Sequence, residues 1–272
     1  MEAVLRALDE EGYVVRRGVL EDECVDAVRR ECAALVHELA LRLLREGRVT
    51  DTFPNEPLET RLLRLYERHP DENPTIFRAE LHREGFFGLF AHPALVDIAE
   101  RALGPEVRLY PNYSVRPKLP QNARTEVLWH QDAGYTGAEA GALRMVNVWT
   151  PLVPATRANG CMEFIPRSHR RGVVPHERDL YYLRIRDDII ASVAHLAVPI
   201  ELEPGDVVLF SNLLFHRGLP NRSNHIRWSV DFRYQDATQD TMRQTQGHLL
   251  RSRSRPGDVV RDARHWAALR FA

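Results

Sequence analysis

The chain has 272 residues, 44% hydrophobic and 28% charged, with a formal net charge of −1 and a near-neutral isoelectric point. That length can bury a sizeable core, and the balanced charge offers no global basic field to nucleic acid or an anionic membrane. No apolar run approaches the roughly 18 residues of a membrane-crossing helix. The N-terminus, MEAVLR, lacks the apolar segment of a signal peptide, and Cys24, Cys32 and Cys161 fit no CxxC pattern, so they read as reduced thiols of a cytoplasmic protein.

In chain order, residues 2–11 predict a short amphipathic helix closed by Gly12, and residues 13–19 (YVVRRGV) a strand. Residues 21–45 place Val25, Val28, Cys32, Leu35, Leu39 and Leu43 at helical spacing, with an acidic first turn and a basic last turn that suit the helix dipole. Two further helices are expected over 57–69 and 93–103, the second stopped by Gly104-Pro105. Phe86, Phe87 and Phe90 read as core. Beyond residue 105 the pattern changes to short strands, expected over 107–115, 126–130, 144–152, 161–165, 196–202, 206–210 and 226–234. Residues 118–122 read as a loop, Asn159-Gly160 as a hairpin pair, and Pro204-Gly205-Asp206 as a tight turn. Helices followed by many short strands predict a mostly β, α+β fold. The expected organisation is one domain, with a helical flank (1–105), a β core (106–236) and a C-terminal tail (237–272).

The sharpest local signal is Trp129-His130-Gln131-Asp132. Positions i and i+2 of a strand face the same way, so His130 and Asp132 can meet one ion. They supply two thirds of the 2-His-1-carboxylate triad that suits non-haem Fe(II). His216, after the apolar run VVLF, is the third candidate. A histidine, any residue, then aspartate is a weak pattern by itself, and His69-Pro70-Asp71 also matches it. The prolines around that second match make it a polar loop.

Eleven residues beyond His216 stands Arg227, on the next expected strand with Ser229 and Asp231 on the same face. An inward arginine is costly unless it meets an anion, and its planar fork suits a carboxylate. The competing reading is an internal Arg227–Asp231 pair.

These segments, in order, resemble the phytanoyl-CoA dioxygenase family. They are WHQD (129–132), RMVNVWTPL (144–152), NGCMEFIPRSH (159–169), PGD (204–206), His216 and Arg227, with GYVVRRGVL (12–20) as an opening strand. The resemblance implies a double-stranded β-helix, a jelly-roll or cupin-like barrel with a helical N-terminal third. It implies a dioxygenase using Fe(II), 2-oxoglutarate and O2, which hydroxylates a C–H bond of a small molecule and releases succinate and CO2. By position His130, Asp132 and His216 match the iron ligands, and Arg227 matches the arginine that holds the distal carboxylate of 2-oxoglutarate. Asn112 and Trp149 match cosubstrate-pocket positions, and Ser229 joins them as a same-faced hydroxyl. Arg167 stands where the family has glycine. Asp132 argues against halogenation, since related halogenases carry a small residue there. Desaturation, epimerisation or ring formation at the same iron, a non-catalytic metal-binding barrel, and a zinc hydrolase remain as alternatives. Oligomeric state leaves no mark in the sequence.

Overall fold

The computed structural model describes residues 1–269. Helices α1 (Glu2–Glu10), α2 (Asp22–Arg45), α3 (Leu58–Leu65), α4 (Glu84–Phe90) and α5 (Pro93–Leu103) dominate the N-terminal part, with strand β1 (Tyr13–Arg16) between the first two. The expected stripe of α2 is buried, together with Val36 and Ala40. After α2 the chain turns at Gly47, where the Gly47 and Arg48 amides donate to the carbonyls of Leu44 and Leu43 and satisfy acceptors left open at the helix end. The sequence EGFFGLF gave no helical expectation because its glycines weaken helix propensity. The structure explains one of them: a Cβ on Gly85 would lie 2.6 Å from Glu31 Cγ of α2. Phe86 and Phe90 are core residues, as expected.

The strands that follow are β2 (Val107–Leu109), β3 (Ser114–Lys118), β4 (Val127–His130), β5 (Met145–Pro151), β6 (Met162–Phe164), β7 (His176–Arg178), β8 (Leu183–Ile185), β9 (Val198–Ile200), β10 (Val207–Phe210), β11 (His216–Gly218), β12 (Arg227–Asp236) and β13 (His248–Arg251). They form a large antiparallel sheet, ordered β1-β10-β5-β12-β2-β13 with β3 also on β12, a smaller one, β4-β11-β6-β9, and a separate two-stranded pair, β7-β8. The two sheets face each other across a shared cavity. This is the double-stranded β-helix with its helical flank. Among the described residues no ladder joins the two sheets into a closed ring, and helical residues outnumber strand residues.

Strand β12 shows how the two faces divide. Trp228, Val230, Phe232 and Tyr234 belong to the core shared with the helices. Arg227, Asp231 and Arg233 line the cavity between the sheets. The period of two puts the apolar set on one side and the charged set on the other.

Several expectations need correction. Residues 107–115 are not one strand. The chain turns at Pro111, and β2 and β3 pair with different stretches of β12, so Asn112 sits in the corner between strands. Lys118, expected in a loop, is the last residue of β3. Asn159-Gly160 is not a hairpin, because β5 and β6 lie in different sheets; it is the corner where the chain crosses between them. The C-terminal region adds strand β13 to the large sheet and carries Trp266, fully buried in helix α6 (Ala263–Ala268). Residues 270–272 lie outside the described residues. Arg167 holds the left-handed backbone, φ 64°, that glycine adopts without steric cost. Its guanidinium bonds Glu11 Oε1 at 3.0 and 2.6 Å.

Candidate metal centre and anion pocket

His130 ends β4 and His216 begins β11, and the two are register partners in adjacent antiparallel strands. Their ring centroids are 4.0 Å apart. Each Nδ1 lies against a carbonyl two residues back, Leu128 at 2.8 Å and Leu214 at 2.9 Å. That contact fixes the ring and leaves Nε2 as the free lone pair, a common way of orienting metal-binding histidines. Asp132 starts the 3-10 turn that follows β4. One ligand atom from each of His130, Asp132 and His216 lies within 4.8 Å of the others. Gln131, between two of them, is fully buried. Its amide donates to Gly172 and Leu213 carbonyls at 2.8 and 2.6 Å and accepts from the Val174 amide at 2.9 Å, pinning this segment to two loops.

Asp132 is held by groups the sequence reading did not single out. Arg233 approaches both of its oxygens, at 2.9 and 3.3 Å, and Asn147 donates to Oδ2 at 2.6 Å. Burial opposes its charge, but Arg233 and the two imidazoles outweigh that and hold the carboxyl well below its usual range. Burial, with His130 adding to it, pushes His216 down to about 3. An ionised carboxylate beside a neutral imidazole is the form that binds a divalent ion. Same-face spacing points to both missed residues: Arg233 continues the series 227, 229, 231, and Asn147 precedes Trp149 by two. By contrast, His69 is exposed, in a polar 3-10 turn.

The interior cavity encloses about 670 Å3, its mouth included. It contains His130, Asp132 and His216 and continues past Trp149 to Arg227. Arg227 is 4% exposed. It donates to Ser229 Oγ and, at 3.1 Å, to the Gly160 carbonyl, and its guanidinium lies 5.1 Å from the Trp149 ring centre. Its Nε, also buried, has no hydrogen-bond partner among the described residues. Asp231 does not pair with it; that carboxylate goes to Arg116 and, at 3.7 Å, to Arg233. Among the described residues Arg227 forms no ion pair.

Beside it stands Lys118, its register partner across β3 and β12 and equally buried. The ammonium donates to the Thr125 carbonyl at 2.6 Å and meets no carboxylate among the described residues. Burial, with Arg227 adding to it, pushes this lysine down to about 7; burial brings Arg227 to about 10. Two buried cations without a counter-ion are costly alone. Such a pair suits an anion. Asn112, expected in the same pocket, lines a separate small cavity behind Asp132 and reaches the centre only through its carbonyl, which accepts from Arg233 at 2.7 Å.

An iron ion and a dicarboxylate fit these residues. The triad supplies two neutral nitrogens and one carboxylate on one side of an ion, as suits Fe(II), and the unpaired Arg227 and Lys118 suit the far carboxylate. A jelly-roll with such a centre opposite a cationic pocket defines a non-haem iron oxygenase of the 2-oxoglutarate-dependent class. The phytanoyl-CoA dioxygenase (PhyH) pattern matches residues 8–229, and the chain belongs to that family. It is 28% identical over 251 residues to 1-deoxypentalenic acid 11-beta-hydroxylase of Streptomyces arenae, covering 87% of this chain and 82% of the relative. Its fold is similar to that of EctD from S. alaskensis, crystallised with 2-oxoglutarate and 5-hydroxyectoine, with TM-score 0.62, 20% identity, and 88% and 77% of the two chains covered. It is also similar to that of the α-ketoglutarate-dependent carbocyclase SnoK of nogalamycin biosynthesis, with TM-score 0.54, 23% identity, and 87% and 84% covered. The protein is a 2-oxoglutarate-dependent non-haem iron oxygenase. Among the described residues no helix is long and apolar enough to cross a membrane.

Proposed function

We propose that this oxygenase hydroxylates an unactivated C–H bond of a small organic molecule, with His130, Asp132 and His216 holding the iron. In this reading Arg227 and Lys118 bind the distal carboxylate of 2-oxoglutarate, Ser229 orients Arg227, and Trp149 covers its guanidinium. Arg233 and Asn147 keep Asp132 ionised and aimed. Bound iron and 2-oxoglutarate supply oxidative decarboxylation with O2 and the power to break a C–H bond; the chain positions that bond and excludes competing reactions. The carrying observation is a buried, carboxylate-free arginine–lysine pair in one cavity with the triad. Hydroxylation is preferred to ring formation because a relative matched over most of both chains is named a hydroxylase. Asn112 takes the place of a support for Arg233. The three unpaired cysteines suit a reducing compartment such as the cytoplasm, and neither nucleic acid nor membrane is needed as a partner.

The test is visible absorption under anaerobic conditions as Fe(II) and then 2-oxoglutarate are added. A weak charge-transfer band that needs both and disappears in His216→Ala supports the reading. Iron binding without any band sinks it in favour of a metal-binding barrel or a hydrolase.

A further inference from the structure

Between the cationic pocket and Asp132, the inward face of β12 presents one more charged group. Asp231 lies opposite Trp149 in β5 and Ser114 in β3, is 9% exposed, and lines the cavity. One oxygen, Oδ1, accepts from Arg116 Nε. The other, Oδ2, is buried and accepts no hydrogen bond; its nearest cation is Arg233 NH1, at 3.7 Å. That nitrogen is already engaged with the Asn112 carbonyl at 2.7 Å. An orphaned buried carboxylate oxygen forfeits free energy that a matching donor restores. Arg116 also lines the cavity, and among the described residues only its Nε is bonded to a protein group.

We infer that Asp231 and Arg116 form the substrate-recognition pair, reading a neutral hydroxyl on an otherwise apolar substrate. The inference rests on the oxygenase reading, since it assigns the space beside the proposed iron to the substrate. A hydroxyl donates to Asp231 Oδ2 and accepts from a free Arg116 N–H at once. A carboxylate can supply no proton to Oδ2 and would face it as a like charge. An ammonium can donate, yet it meets Arg116 and Arg233, with Arg78 near the same cluster, and offers them no acceptor. Elsewhere the cavity wall, which also carries Thr75 and Tyr182, includes Pro117, Val127, Met162 and Phe210, and these suit an apolar skeleton. A site built to bond a hydroxyl discriminates strongly, because a wrong head group leaves its buried polar atoms unpaired.

The experiment uses the protein loaded anaerobically with Fe(II) and 2-oxoglutarate, with the charge-transfer band recorded first. Absence of that band counts against the oxygenase reading itself. The loaded protein is then titrated with octanol, octylamine and octanoate, which share one chain, and binding is read from tryptophan emission. The expected result is that octanol binds at least about tenfold more tightly than either charged analogue, and that Asp231→Asn, whose amide can donate as well as accept, erodes this preference. Tighter binding of octanoate or octylamine, binding without head-group preference, no binding of octanol, or an unchanged preference in a loaded Asp231→Asn protein overturns the assignment. If Asp231→Asn forms no band, the head-group order on the unaltered protein decides alone.

Discussion

Arg233 holds Asp132 by both oxygens, NH2 to Oδ1 at 2.9 Å and Nε to Oδ2 at 3.3 Å, from a strand about a hundred residues further along the chain. The arginine therefore fixes both the charge and the direction of the carboxylate that faces the two histidines. Replacing it with leucine should leave Asp132 buried without its strongest partner, and metal affinity should fall about 10–100-fold. Titration with Fe(II) under anaerobic conditions checks this. Unchanged affinity would mean that Asn147 alone suffices.

Arg227→Ala should raise the apparent KM for 2-oxoglutarate about a hundredfold, since two charge-assisted hydrogen bonds are lost. Iron affinity should stay near that of the unaltered protein, because Arg227 touches none of the triad. Steady-state kinetics with varied 2-oxoglutarate, paired with an iron titration, separate the two effects. Normal cosubstrate affinity would remove Arg227 from this role.

Lys118 gives the pocket a pH dependence. With no anion bound, burial pushes the Lys118 ammonium down to about 7, and a bound carboxylate raises that value. The anion thus favours the protonated form, and affinity is highest below about pH 7. It should fall as pH rises from the free value towards the bound one, by at most about tenfold per unit. Dissociation constants for 2-oxoglutarate between pH 6 and 9 should show this slope, and Lys118→Met should flatten it. A slope retained in that variant would assign the effect to another group.

Gly160 is where the corner between the sheets meets both cations. Its carbonyl accepts from Arg227, its φ is +89°, and a Cβ there would lie 2.4 Å from Lys118 Cε and from the Leu219 carbonyl. Gly160→Ala should cost about 1–3 kcal/mol of stability and displace the lysine stem. Thermal melting should show the loss, with a weaker 2-oxoglutarate affinity in the fraction that remains folded. A melting temperature equal to that of the unaltered protein would contradict the crowding.

The amino-acid sequence by itself determined the candidate ligand types, their order along the chain and the faces they share. His130 and Asp132 sit two apart at a strand end, and Arg227 and Ser229 two apart on another, so period-two alternation carries that information locally. It also determined α2 and α5, whose apolar spacing and end signals lie within a few turns. Only the tertiary structure decided which distant groups complete each charge. Register between β12 and β3 puts Arg116 on Asp231 and Lys118 beside Arg227, the facing of the two sheets brings Arg233 to Asp132, and the turn at Pro111 moves Asn112 behind the centre. Strand partners come from far along the chain, and a one-residue change of register would exchange the faces. For that reason the donors proposed for this site could be read from the sequence, while the partner that neutralises each one, and the Asp231 oxygen left without a hydrogen bond, could not.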